Sequence, residues 1–271
     1  MTITKSDLPD GSNADETAHW LLAQHDGRLG FQAVQFQPGG NDETFAYAVQ
    51  DRLNGFRRER GEVVAGYKIG LTTPVMQQLC HGDRPIAGVV FQRTIRVAPA
   101  SVPARDYVRL GIECELALRL GTALPASGTV DRATVAASVA RVAAAFELIE
   151  DLGADYATLD WRSMAADNGW HGGLVLGPDV AVDKVEGLDA GLDGRLEIDG
   201  HPSLMGSTRD VLGHPYDAVA WLANHLAGRG ERLLAGQWIS TGSIVPIRHA
   251  VPGQRFRFSI ASLPAVEITV T

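Results

Sequence analysis

The sequence predicts a β-rich α+β fold. Three observations carry that prediction: short strand-like runs recur through most of the chain, helical patterns are few, and 30 glycines punctuate the 271 residues. Regular alternation of strands with long helices is missing, as are internal repeats and low-complexity tracts, which argues against Rossmann and barrel folds.

Taken in order, residues 1–15 are polar, contain Pro9, Gly11 and Ser12, and predict a loose tail. Trp20, Leu21 and Leu22 place a helix over about 15–28. A second helix is predicted over 42–60, with Asp42 as N-cap and Phe45, Ala48, Val49 and Leu53 as its apolar stripe. Arg57, Arg58 and Arg60 fall in its last turn, where cations suit the helix dipole, and read as a solvated face. The character changes at residue 63, where Val63 to Leu71 reads as a strand with small residues beside it. Further strands are predicted near 88–97, 109–120, 146–150, 172–177, 193–199, 237–241, 255–260 and 265–270. The Ala- and Val-rich run over 131–145, capped by Asp131, predicts a long helix, and 215–228 predicts another. The expected organisation is a helical N-terminal region over 1–62 followed by a core over 63–271.

Composition narrows the function classes. The chain is 45% hydrophobic and 21% charged, with net charge −8 and pI about 5.5, as in an ordinary enzyme-sized globular protein. It has no basic block, so nucleic acid and anionic membranes are not expected partners. The first ten residues lack an apolar signal core, and no apolar run reaches the ~18 residues that span a bilayer. Cys80 and Cys114 are the two cysteines; they could pair, but without a secretion signal they suggest a reducing cytoplasm.

The chemically specific stretch is Gly111-Ile112-Glu113-Cys114-Glu115-Leu116. In a strand, Glu113 and Glu115 point to one face, and two carboxylates on a half-buried face repel each other and are costly to desolvate. A cation between them removes the difficulty; a solvated strand face is the alternative. Cys114 faces the other side and reads as packing. Glu147 lies between Phe146 and Leu148, again in apolar company. Three oxygen donors without His or Cys nearby point to Mg²⁺ or Mn²⁺ rather than Zn²⁺.

Lys68 sits in the apolar run Gly66-Tyr67-Lys68-Ile69-Gly70 and reads either as a cation for a substrate carboxylate or proton transfer, or as a snorkelling edge lysine. Asp83, between Gly82 and Arg84-Pro85, suits a turn. Asp167-Asn168 lines a pocket or closes a helix, and Thr241-Gly242-Ser243 binds a carboxylate through backbone N–H groups or is an ordinary turn. His171 receives no role. A nucleophile triad, a phosphate-binding glycine loop and a zinc motif are all absent.

These segments, in this order, resemble the hydratase/decarboxylase branch of the fumarylacetoacetate hydrolase superfamily. The matching pieces are Ala46–Gln50, Gly66–Thr72, Asp83-Arg84-Pro85 with Gly88, Glu113-Cys114-Glu115, Phe146–Ile149, Ala166-Asp167-Asn168, Gly213-His214-Pro215, Ala220–Asn224, Ala235-Gly236 and Thr241-Gly242-Ser243. The resemblance runs from about residue 42 to the C-terminus. It implies a mixed β-roll core in a homo-oligomer, with Mg²⁺ or Mn²⁺ held by Glu113, Glu115 and Glu147. It also implies catalytic roles for Lys68 and Asp83, substrate contacts from Thr72 and Asn168, and a carboxylate-binding loop at Thr241 and Ser243. Departures gather at the pocket rim: Ile86-Ala87 stands where many hydratases carry Asp-Phe, Leu152 replaces an arginine five residues past the third acid, and Gly253-Gln254 and Leu263-Pro264 replace Gly-Asp and Leu-Gly.

The implied activity is a cytoplasmic hydro-lyase of aromatic catabolism that adds water to a 2-hydroxy-2,4-dienoate. Decarboxylation of a 2-oxo-3-enedioate is the runner-up, and Ile86 leans that way. C–C hydrolysis of acylpyruvates requires a Glu–His pair, which sequence alone does not locate. A non-catalytic subunit associating with a paired pathway enzyme is the reading from another class.

Overall fold

The computed structural model describes residues 8–38 and 42–271. Residues 1–7 of the expected tail lie outside them. Helix α1 (Ala14–Gly27) is capped by Asn13, whose side chain accepts from the N–H groups of Asp15 and Glu16. Helix α2 (Asp42–Glu59) packs on α1. Asp42 is its first helical residue rather than its cap, and its carboxylate pairs with Arg162. Arg57 departs from the expected solvated face, since its guanidinium lies over the Phe91 ring at 5.6 Å.

Strands β1 (Val64–Gly70), β2 (Ile86–Phe91), β3 (Ile95–Val97), β4 (Ala100–Val102), β5 (Leu110–Leu120), β6 (Val139–Glu150) and β7 (His171–Leu176) follow, with short helices α3 (Pro74–Leu79), α4 (Arg132–Ser138) and α5 (Trp161–Ala166) between them. The chain continues through β8 (Val180–Ala181), β9 (Asp193–Ile198), β10 (Leu204–Ser207), α6 (Pro215–Ala227), β11 (Trp238–Ser243), β12 (Arg248–His249), β13 (Arg255–Ile260) and β14 (Val266–Val270). Among the described residues the strands form two sheets. One runs β2-β1-β11-β5-β6-β7-β3, with β12 on β5 and β8 on β6; the other runs β10-β9-β13-β14-β4. Most neighbours are antiparallel, but β1 with β11, β3 with β7 and β14 with β4 are parallel. The mixed pairing matches the expected α+β class.

One expectation fails plainly. The run read as a helix over 131–145 is helical only to Ser138 and then becomes β6. Val142 to Ala145 are fully buried in this central strand, which pairs with β5 and β7. Packing overrides the helix preference of alanine there.

On one face of the first sheet Cys114, Leu116, Leu118, Phe146 and Leu148 join the main core. Phe146 meets Phe256 and Phe258 of the second sheet at centroid separations of 6.4 and 6.1 Å, which ties the two sheets together. Cys80 and Cys114 are both buried and free. No helix of the described residues is long and apolar enough to cross a membrane.

Candidate metal centre

The acids stand on the opposite face of the same strands. Glu113 and Glu115 share that face of β5, and the β5–β6 register sets Glu113 directly opposite Glu147. Like charges directly opposite each other destabilise a sheet. Glu115 and Glu147 are fully buried, and one carboxylate oxygen from each of the three acids lies within 4.8 Å of the others.

Neighbouring strands complete the surroundings. In β11 the register with β5 slips between Ser240 and Ser243. The slip passes through Gly242 at φ +118°, where a Cβ would stand 2.3 Å from Thr72 Oγ1, so only glycine fits. It aims the Gly242 N–H at Glu115 Oε2 (2.8 Å), and Ser240 Oγ donates to the same oxygen (2.5 Å). The carboxylate captured by this loop is therefore the chain's own Glu115. Thr241 Oγ1 donates to the Leu116 carbonyl, and Ser243 Oγ to that of Val245.

Lys68 of β1 is buried, with Nζ 3.4 Å from Glu147 Oε2. Its chain runs past Gly169, where a Cβ would lie 3.0 Å from Lys68 Cε. The burial of Lys68 excludes the snorkelling reading. His171, to which the sequence assigned nothing, stands behind the centre with Nδ1 2.7 Å from Glu147 Oε1 and Nε2 3.3 Å from Thr94 Oγ1. Burial holds its pKa below the usual value, so a neutral ring donates from Nδ1. This Glu–His pair was not legible in the sequence, and its acid is one of the three candidate metal ligands. The His171 Nδ1–H is spent on Glu147, so the ring orients that carboxylate.

Burial pushes the acids up, but not equally. Glu113 is raised to about 7 by burial, with Lys68 opposing and Glu147 adding to the shift. Glu115 is raised well above its ordinary value by burial and by its two acidic neighbours. For Glu147, burial is outweighed by Lys68 and the His171 hydrogen bond, and it falls below the usual range. Lys68 is raised because the three acids outweigh its own burial. Without a cation, the charge resolves into a Glu147–Lys68 ion pair beside two acids that resist ionisation.

The donor set fits a hard divalent cation. Glu115 Oε1 is buried without a hydrogen-bond partner, and Glu147 Oε2 has only the Lys68 ammonium at 3.4 Å; an unsatisfied buried polar atom costs about 1–3 kcal/mol, more if charged. An all-oxygen set of carboxylates suits Mg²⁺ or Mn²⁺.

A cavity of about 60 Å³ adjoins the centre, lined by Lys68, Glu113, Thr72, Ser243, Tyr156, Trp170 and the apolar Ile69, Leu71, Met76, Ile149 and Met164. Thr72 and Ser243 thus line the cavity with Glu113. Two other expectations are not met. Asp83 is on the surface, its side chain 74% exposed and paired with Arg84, in a shallow depression with Glu43, His81 and Trp161. The structure does not bring it to Lys68. Asn168 is buried, but its amide nitrogen donates to Val89 O while its oxygen accepts from Val89 N and Asn54 Nδ2. Its side chain clamps β2 and leaves little for a substrate.

Comparison with known proteins now decides the family. Residues 75–271 match the fumarylacetoacetate (FAA) hydrolase C-terminal family. The chain belongs to that family. The FAA hydrolase match spans the three acids and every strand except β1, which carries Lys68. Among curated relatives, the 2-keto-4-pentenoate hydratase of Burkholderia vietnamiensis is 31% identical over 97% of this chain and 98% of its own length. A 4-oxalocrotonate decarboxylase of Pseudomonas putida is 30% identical over 90% of this chain and 94% of its own. Among solved structures, the 4-oxalocrotonate decarboxylase from Pseudomonas putida G7, complexed with magnesium and adipate, superposes with a TM-score of 0.87 at 23% identity, covering 100% of this chain and 99% of that one.

Proposed function

We propose that this FAA hydrolase family member is a divalent-metal-dependent hydro-lyase adding water to a 2-hydroxy-2,4-dienoate or its 2-oxo-enoate tautomer. The observation that carries the reading is the convergence of three carboxylates, one with an unsatisfied buried oxygen, beside a cavity lined by Glu113 and Lys68. The near full-length kinship with a 2-keto-4-pentenoate hydratase supports it. Glu113, Glu115 and Glu147 would hold Mg²⁺ or Mn²⁺. Such an ion supplies Lewis-acid stabilisation of the charge that develops on the 2-oxygen of the acid, worth several kcal/mol.

The chain's own groups do the rest. The Lys68 ammonium orients the substrate carboxylate and carries the proton that moves as the dienol becomes the 2-oxo-enoate. Thr72 offers its hydroxyl at the cavity wall. Ser240 and the Gly242 N–H hold Glu115, and His171 holds Glu147, so neither acid turns away when substrate enters. Ile69, Leu71, Met76 and Met164 receive the carbon tail and keep bulk water from the enol.

Kinship with a 4-oxalocrotonate decarboxylase keeps decarboxylation of a 2-oxo-3-enedioate as the second reading. The cavity lining favours hydration. Its one cation, Lys68, is taken by the carboxylate next to the 2-oxygen, so the second carboxylate of an enedioate finds no cation among the described lining residues. Both free cysteines are buried, which suits a reducing cytoplasm.

Loss of diene absorbance from 2-hydroxypenta-2,4-dienoate tests the proposal, against CO₂ release from 4-oxalocrotonate. Hydration is expected to stop on EDTA treatment, return with Mg²⁺ or Mn²⁺, and fall at least about a hundredfold in Glu113→Ala. Full activity in metal-free protein overturns the metal reading. CO₂ release outpacing hydration selects the decarboxylase, and no turnover of either acid selects the non-catalytic subunit.

A further inference from the structure

We infer that the indole N–H of Trp170 is a ligand-binding group, donating a hydrogen bond to an oxygen of the small carboxylic acid in the cavity beside Glu113 and Lys68. The inference deepens the proposed function and rests on that reading for the identity of the ligand.

Three observations carry it. First, Trp170 is 2% exposed and its Nε1 has no hydrogen-bond partner. An indole nitrogen is a donor only, so nothing but an acceptor satisfies it. Second, Trp170 lines the same cavity as Lys68, Glu113, Thr72 and Ser243. Third, the backbone is forced to put it there. Asn168, Gly169 and Trp170 take consecutive left-handed conformations, at φ +51°, +59° and +58°. For a bulky side chain that is a genuine outlier, and such strain concentrates at binding and catalytic sites.

The neighbours show how the strain is held. The Asn168 amide is locked to both backbone groups of Val89, and the backbone N–H of Trp170 donates to the Asp167 carbonyl at 2.9 Å. The Asp167 carboxylate in turn meets His25 at 2.6 Å. The indole itself is wedged edge-on between Phe31 and Tyr156, with ring centroids at 5.5 and 5.9 Å. A large aromatic held this rigidly with its polar atom unpaired is preorganised for a ligand. Trp20 also has an unpartnered indole nitrogen, but it lies on α1 outside the cavity lining and serves as the internal control.

Trp170→Phe keeps most of the ring packing and removes the donor. Titration calorimetry of the full chain is expected to give an unchanged affinity for Mg²⁺ alone and an affinity for oxalate or pyruvate, with Mg²⁺ present, lowered by about tenfold. In wild-type protein labelled with ¹⁵N-tryptophan, oxalate is expected to move the Trp170 indole resonance downfield and leave that of Trp20 in place. Single Phe replacements of the other four tryptophans assign the Trp170 signal even if the Trp170 variant misfolds. Wild-type protein that binds oxalate with the Trp170 resonance unmoved, or a folded Trp170→Phe with wild-type affinity for both acids, overturns the inference alone. Wild-type protein that binds neither Mg²⁺ nor either acid overturns the proposed function with it.

Discussion

Lys68 determines what charge the centre carries when no cation is present. Its ammonium stands 3.4 Å from Glu147 inside a face that also buries Glu115 completely. Removing one partner of a buried ion pair typically costs about 3–5 kcal/mol. Lys68→Met is therefore expected to lower the thermal midpoint of metal-free protein by several degrees, and saturating Mg²⁺ to restore more stability to the variant than to wild type. Its kcat with Mg²⁺ is expected to fall by about a hundredfold. Scanning fluorimetry and steady-state kinetics check both; an unchanged midpoint together with an unchanged kcat removes Lys68 from the centre. At this scale the sequence was partly readable. The alternation of Glu113-Cys114-Glu115 announced two acids on one face, whereas Glu147 completes the set through a cross-strand register that no local pattern encodes. His171 was invisible for the same reason, since its tie to Glu147 joins β7 to β6 across a pairing irregularity. Asp83 failed in the opposite way: its neighbour Arg84 satisfies it at the surface, as its turn-like setting already suggested.

The elements around the centre are held by side chains that sequence had offered to substrate. Asn168 joins the turn after α5 to β2 as though it were one more pairing of the sheet, with bonds of 2.7 and 2.9 Å to Val89 and 3.0 Å to Asn54. Each such bond contributes about 0.5–1.5 kcal/mol, and stripping the Val89 groups of partners costs more. Asn168→Ala is expected to destabilise the protein by about 2–4 kcal/mol in denaturant unfolding while the metal-binding stoichiometry of the folded fraction stays at the wild-type value. A variant of wild-type stability with a strongly raised KM returns Asn168 to the substrate. The Ala- and Val-rich segment over 131–145 carries the same lesson for β6. Its composition favours helix, but from Val139 it lies between β5 and β7 and exchanges backbone hydrogen bonds with both. Strand boundaries set by alternating polarity, as in β5 and β13, were legible; this one depended on neighbours distant in sequence.

Across the whole molecule, the fold and the cation are linked through protons. The first sheet places all three acids on adjacent central strands, so the charge state of the centre bears on the stability of the entire sheet. The pKa of Glu113 in the folded chain, about 7, lies above the ordinary value of 4.5. A raised pKa means that the folded state retains a proton the unfolded state has released. That contribution is complete below the unfolded value and is lost as the pH rises through about 7, so metal-free protein is expected to lose stability across this window. Glu115, raised in the same direction, extends the loss upward. A divalent cation requires the ionised carboxylates and therefore displaces these protons at low pH and meets fewer of them at high pH. The stabilisation given by a fixed Mg²⁺ concentration is expected to grow from about pH 6 to about pH 8, with apparent affinity rising by up to about tenfold per pH unit for each proton displaced. Calorimetry in two buffers of different ionisation enthalpy reports the protons directly: about one to two released per ion near pH 6, and fewer near pH 8. Because Glu113→Gln carries no titratable proton at that position, it is expected to flatten the dependence around pH 7 and to weaken binding at high pH, where wild type binds best. Mg²⁺ binding without proton release, at an affinity independent of pH, places the ion away from these three acids.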